Sequence, residues 1–212
     1  MTEKQNEIIG FIEKDVSRFQ FPKRYEHTLS VLGECRYYAE KLGLDEDEKY
    51  TLFRSAILHD ISKDLFEIKQ RKICRKNGLV YRNSPVTHQD TGAYFAIEKY
   101  GEEIVDKDVF SAISKHTTGG EKMNACDMIL FIADYTEPLR KYKNCIGARE
   151  YIHEKCEKID KNNRKCVMEL LFEAVAKICR ETIHYLEEIG ADIDERTKKT
   201  YAMAIGALSK EK

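Results

Sequence analysis

Apolar residues along this chain recur every three or four positions, the period of helices with one buried face. Between 23 and 43, Val31, Cys35, Tyr38 and Leu42 share one stripe, and Gly43 supplies a stop. "GLDEDEKYTLFRSAILHD" (43–60) opens on an acidic turn and then sets Leu52, Phe53, Ala56 and Ile57 at helical spacing. A third segment, 64–78, carries Leu65, Ile68 and Ile73 and ends at Gly78. Segment 84–101 has Pro85 and Thr87 as start signals and Gly101 as its stop. Helices are also expected over 102–116 and over 121–138, where Pro138 halts the run. A polar connection spans roughly 140–165, and two further helical runs follow at 165–190 and 195–208. Nothing alternates with the period of a strand, and no Asn-Gly or Asp-Gly hairpin occurs. The expected class is all-α.

Six polar, ligand-capable residues interrupt these stripes, at five places. His27 lies four residues before Val31 and shares its stripe. His59 and Asp60 follow Ala56 by three and four, which turns both inward at a helix end. His88 precedes Gly92 by four, His116 follows Ile113 by three, and Asp134 follows Leu130 by four. One histidine on an apolar face is easily satisfied by a hydrogen bond. A buried carboxylate needs a partner, and an adjacent His-Asp pair among five such places asks for more than coincidence. A divalent cation would neutralise the carboxylates and use every imidazole at once. Lys63 stands one turn beyond His59 and could face a bound anion. Thr117 and Thr118, followed by Gly119 and Gly120, could donate hydrogen bonds near a phosphate.

The bulk composition narrows the functional classes. The net charge is −1, so no global field draws the chain to nucleic acid or to an anionic membrane. No apolar run approaches the roughly 20 residues that span a bilayer. The opening "MTEKQNEIIGFIEKDV" lacks the cationic-then-apolar build of a signal peptide. Seven scattered cysteines without a C-x-x-C pair read as reduced, mostly buried thiols in a cytoplasmic protein. With 212 residues, a single domain over 1–212 is expected, the helices at about 166–209 being additions to it. The apolar face of the 166–190 helix closes either an intramolecular core or a homodimer interface. His153 and His184, in charged segments, read as ordinary exposed or half-buried residues. Tyr25, Tyr81, Tyr94 and Tyr135 could stack on a base, with packing the simpler role.

Five stretches carry a family resemblance: "RYEHTLSV" (24–31), "AILHDISKD" (56–64), "THQDTGAY" (87–94), "SKHTTGGEKM" (114–123) and "FIADYTEPLR" (131–140). With "TIHYLEEIGADID" (182–194) as a closing helix, the chain resembles the HD-domain phosphohydrolases. Within them it is most similar to the YqeK-type symmetrical bis(5′-nucleosyl)-tetraphosphatases. The resemblance implies an HD-type helical bundle and a dinuclear site ligated by His27, His59, Asp60, His88, His116 and Asp134, with Asp60 bridging. Iron is the metal it implies, with Mn, Co or Zn as alternatives. It assigns catalytic roles to His59, Asp60 and Lys63. Arg24, Lys63 and Arg140 bind phosphate under it, and Thr117, Thr118 and Gly119 line the pocket. The implied reaction is hydrolysis of diadenosine tetraphosphate to two ADP by a metal-bridging hydroxide. The alternatives are another HD phosphohydrolase acting on a nucleotide or alarmone, and a non-catalytic metal- or nucleotide-binding module. Gln89-Asp90, where relatives have a small glycine, and Gly120, where a basic residue is common, depart from the pattern and bear on substrate range.

Overall fold

The computed structural model describes residues 1–82 and 84–209. Among them there are helices and connecting turns but no strand. The helices are α1 (Glu3–Val16), α2 (Pro22–Lys41), α3 (Glu46–Leu58), α4 (Glu67–Lys76) and α5 (Thr87–Tyr100). They continue with α6 (Lys107–Lys115), α7 (Ala125–Thr136), α8 (Lys143–Cys156), α9 (Arg164–Glu188) and α10 (Glu195–Ser209). Helix α7 is the centre. Every residue from Ala125 to Asp134 is buried, which an apolar helix achieves only when neighbours cover it on all sides. Helices α2, α3, α6, α8 and α9 pack around it.

The acidic clusters of the sequence begin helices. Asp45 accepts hydrogen bonds from the Asp47 and Glu48 amides, and Asp106 accepts from Asp108 and Val109. Two helices lie where the sequence pattern had indicated none. Helix α1 opens on a Thr2–Gln5 capping box and buries Ile9, Ile12 and Val16. Its partner across the contact is α3. The stretch read as a polar connection contains α8, whose Cys145, Ala148, Ile152 and Cys156 face inward at spacings of three and four. The buried face of α9, including Val167, Leu171, Val175 and Ile178, packs against α7, α8 and α10, so it closes an intramolecular core. No described helix is long and apolar enough to cross a membrane. All seven cysteines are free, and every one but Cys166 is buried.

Candidate metal centre

The six ligand-capable residues come together from five helices. His27 is on α2, His59 and Asp60 sit in the turn that ends α3, and His88 is on the first turn of α5. His116 caps the C-terminus of α6, and Asp134 lies near the end of α7. A close backbone approach makes this convergence possible. A Cβ added at Gly92 of α5 would stand 3.2 Å from the His59 carbonyl oxygen. Beside it, the Ser62 hydroxyl donates to the His88 carbonyl at 3.0 Å. The turn after α3 is thereby locked to the start of α5.

The imidazoles are oriented by their own helices. In His59, His88 and His116, Nδ1 donates to the carbonyl three residues earlier, at Ala56 (2.7 Å), Pro85 (2.6 Å) and Ile113 (2.7 Å). A carbonyl only accepts, so the proton of each neutral ring belongs on Nδ1 and the Nε2 lone pair points inward. Those lone pairs then meet one another. His88 Nε2 lies 3.0 Å from His116 Nε2, and His59 Nε2 lies 3.3 Å from His27 Nε2. The lone pairs of His88 and His116 repel at that distance unless a cation stands between them.

Asp60 lies between the two pairs. Its Oδ1 is 3.1 Å from His88 Nε2 and 3.5 Å from His116 Nε2, while Oδ2 is 3.6 Å from His59 Nε2 and 3.7 Å from His27 Nε2. The geometry defines two groups able to hold a metal ion, His27–His59–Asp60 and Asp60–His88–His116, with Asp60 common to both. Oδ1 is buried and has no hydrogen-bond partner, an orphaned acceptor that a cation would satisfy. Asp134 Oδ1 extends the first group, 3.1 Å from His27 Nε2. Imidazole and carboxylate ligands with no thiolate suit Fe, Mn, Co or Zn. The donor set therefore fits a pair of divalent cations.

Charge on these groups is set by burial and by each other. Burial alone would raise the Asp60 carboxyl, but His59, His116, His88 and Lys63 outweigh it and hold Asp60 well below the usual carboxylate range. Burial likewise opposes ionisation of Asp134, and Arg140 and His27 reverse it. Burial pushes the His59 imidazole down to about 3 and lowers His88. His27 goes the other way. Burial disfavours its charge, yet hydrogen bonds to Asp134 and Glu137 carry it up to about 9. Without metal, His27 is thus protonated at neutral pH, and a metal at Nε2 must displace that proton. Apparent affinity at the His27–His59 position is expected to rise about tenfold per pH unit from 7 toward 9. Competition with a chromophoric chelator across that range measures it, and a flat profile would mean that His27 is already neutral.

The three cations named from the sequence are at the site, bonded to its carboxylates. Arg24 Nη1 donates to Asp60 Oδ2 at 2.8 Å, Arg140 Nη2 donates to Asp134 Oδ1 at 2.7 Å, and Lys63 Nζ is 3.5 Å from Asp60 Oδ1. All three remain half-exposed. Thr117 also reaches the site, its hydroxyl 3.2 Å from His88 Nε2. Thr118 and Gly119 are used differently from the sequence expectation. The Thr117 and Thr118 amides donate to Gln89 Oε1, both at 3.1 Å, and the Thr118 hydroxyl accepts from Gln89 Nε2 at 2.8 Å. The Thr118 carbonyl accepts from Thr200 of α10 at 3.0 Å. Gly119 has φ +71°, and a Cβ there would overlap the Thr200 side chain. This loop is held by protein groups on both sides.

Two residues hold positioning roles that the sequence does not assign to them. Glu137, 1% exposed, accepts from His27 Nδ1 at 3.2 Å and so orients that ring from behind. Gln89, fully buried, ties the start of α5 to the loop after His116. Asp90 beside it pairs with Arg196 of α10, both oxygens at 3.0 Å from Nη1. The departure at 89–90 is a structural tie between helices. Gln89→Leu would leave two amide donors and a hydroxyl short of a partner at roughly 1–3 kcal/mol each, partly recovered through water. A drop in melting temperature of about 5–10 °C is expected by circular dichroism, given roughly 2–4 °C per kcal/mol at this size. An unchanged melting curve would show that the loop holds without Gln89.

His153 and His184 lie outside this centre. His153 Nε2 is 2.7 Å from buried Glu34, and His184 is exposed. Tyr25 and Tyr94 pack on the core, Tyr94 edge-on to Phe110, and Arg71 lies over Tyr81.

The family model described as the HD domain matches residues 24–139, which holds all six ligand-capable residues. A symmetrical bis(5′-nucleosyl)-tetraphosphatase of Halalkalibacterium halodurans is 34% identical over 123 residues, covering 56% of this chain and 63% of that protein. The protein of the same name from Bacillus subtilis is 29% identical over the same shares. The chain thus matches less than two thirds of the length of these relatives. A crystal structure of a predicted HD superfamily hydrolase involved in NAD metabolism, from Clostridium acetobutylicum, superposes with a TM-score of 0.75. It is 25% identical, and the match covers 93% of this chain and 97% of the other.

Proposed function

This chain belongs to the HD-domain family, and on that footing we propose that it is a metal-dependent hydrolase that splits diadenosine tetraphosphate into two ADP. The observation that carries the reading is the pair of three-residue ligand groups sharing one buried carboxylate, Asp60, with three half-exposed cations beside it. His88 and His116 would hold one ion, His27, His59 and Asp134 the other, and Asp60 both. Iron is the metal proposed. Bound metal would supply a water of lowered pKa and neutralise charge on phosphoryl oxygens.

The protein's own groups account for the rest. His59 and Asp60, 0% and 1% exposed, keep bulk water from the floor of the site, so charges above it act at full strength. Arg24, Lys63 and Arg140 keep further N–H donors beyond those spent on Asp60 and Asp134, and these are available to phosphate oxygens. Lys63 and the guanidinium groups offset the charge that gathers on the departing ADP. One water adds to one inner phosphorus and the central phosphoanhydride bond breaks, which yields two ADP. Substrate identity comes from the names of the relatives, and reaction class from the ligand set. On this reading 1–212 works as a single HD-type unit in the cytoplasm, where its thiols stay reduced.

Protein loaded anaerobically with iron, and separately with Mn, Co or Zn, is to be incubated with diadenosine tetraphosphate and its products separated by ion exchange. ADP as the sole product is expected. AMP with ATP would overturn symmetrical cleavage. Turnover confined to another nucleotide or an alarmone would move the substrate, and no turnover of any would leave a binding module.

A further inference from the structure

Arg140 has two sides. Toward the metal centre it bonds Asp134, and on its other side it lines a cavity of about 310 Å³ between the α7–α8 connection and the end of α9. The other walls are mainly aromatic and aliphatic: Tyr135, Tyr142, Tyr185 and Leu186. Asn144 adds an amide that donates to the Tyr135 hydroxyl at 2.8 Å and accepts from the Cys145 amide at 3.1 Å. Each end of that amide still has capacity for one more hydrogen bond. Tyr142 and Tyr185 are 69% and 51% exposed, so they are not spent on the protein's own core.

We infer that this cavity takes the planar base of the nucleotide, with the phosphates passing Arg140 to the metal centre. The inference rests on the proposed nucleotide substrate and adds where its base is held. Three features select this occupant. The volume lies at the small end of the roughly 300–1,000 Å³ range of ligand pockets, enough for a base and its sugar but too small for a whole dinucleotide. Tyrosine faces stack on any nucleobase, at about 1–3 kcal/mol each, while the Asn144 amide can read its edge. The way from the cavity to Asp134 passes a guanidinium, which attracts the phosphate end and leaves the uncharged base to the aromatic walls. Two larger cavities lie between α8 and α9, one walled by Lys155 and Glu173, already paired with each other, the other by Lys143, His184 and Glu188, and no ligand-capable residue of the metal centre lines either.

The test uses the exposed rings, whose removal leaves the core intact. ADP and inorganic pyrophosphate are titrated by calorimetry into metal-loaded wild type, Tyr142→Ala/Tyr185→Ala and the cavity-filling Thr182→Trp. ADP is expected to bind at least tenfold more weakly to both variants, with pyrophosphate affinity unchanged. Equal weakening of both ligands, or of neither, would overturn the inference, as would wild type that binds ADP no better than pyrophosphate. Calorimetry also separates this from the parent reading. ADP binding that depends on the tyrosines in a protein that does not cleave diadenosine tetraphosphate would keep the cavity assignment and overturn the hydrolase.

Discussion

Asp60→Ala is expected to remove both metal positions together and to lower hydrolysis of diadenosine tetraphosphate by about 10³-fold or more, a barrier increase of roughly 4 kcal/mol. No other residue enters both ligand groups. Without Asp60 the His88–His116 position has no carboxylate, and the other keeps only Asp134 beside His27 and His59, already engaged by Arg140 at 2.7 Å. Neither remainder would hold a hydrated divalent cation against buffer. The substitution also leaves Arg24 without its 2.8 Å acceptor and Lys63 without its nearest carboxylate, which raises positive charge where the cations must sit. Metal content by plasma mass spectrometry is expected to fall from two ions per chain to below one. Asp60→Asn should behave similarly, because the amide keeps the shape and loses the charge. Asp64→Asn is the control. Asp64 is close by and accepts from the Phe21 amide at 2.9 Å, yet it belongs to neither group. Its metal content should match wild type. Retention of both ions by Asp60→Ala would remove the shared carboxylate from the scheme.

The sequence carried the parts of this site that violate its own pattern. A histidine or aspartate on an apolar stripe is visible because the stripe predicts leucine there, and all six such positions lie within one cluster. What tertiary contact alone decides was not legible. Glu137 reads as the end of a helix before Pro138, and only the arrival of His27, 110 residues earlier, makes it a positioning group. Gln89 stands out in the sequence only as a departure bearing on substrate range, and its role as a tie is set by the His116 loop that arrives against it. Thr118 and Gly119 have the composition of an anion-binding turn, but Thr200, contributed 82 residues later, occupies that surface. The resemblance implies phosphate binding by Arg24 and Arg140, and in the structure their first partners are Asp60 and Asp134. Within the all-α fold, two helices failed to show in the same manner. In α8 the inward positions 145, 148, 152 and 156 carry two cysteines, an alanine and one isoleucine, among lysines and glutamates that hide the period. Helix α1 has a short apolar face of Ile9, Ile12 and Val16, which becomes recognisable only against α3.

Chelated protein is expected to remain folded and to melt at least about 8 °C below the metal-loaded form. A ligand present at about a thousand times its dissociation constant stabilises the folded state by about 4 kcal/mol. A chain of this size shifts by roughly 2–4 °C per kcal/mol, so one occupied position gives about 8–16 °C. A second adds less than that again, because the two cations repel across the shared Asp60. The metal-free chain holds together because its carboxylates already have counter-charges. Arg24 and Lys63 face Asp60, Arg140 faces Asp134, and the His27 proton lies between Asp134 and Glu137. Those contacts replace part of the lost attraction, but nothing among the described residues separates the Nε2 atoms of His88 and His116 at 3.0 Å, so that pair is where chelation weakens the fold most. The melting temperature is to be read by circular dichroism after dialysis against chelator and again after adding back Fe, Mn, Co or Zn. The helical signal should be the same before melting in both forms. His116→Ala should reduce the gain on metal addition, and should do so without the pH dependence that His27 imposes. Coincident melting curves with and without saturating metal would show that these imidazoles are satisfied in some other way, and the hydrolase reading would fall with them.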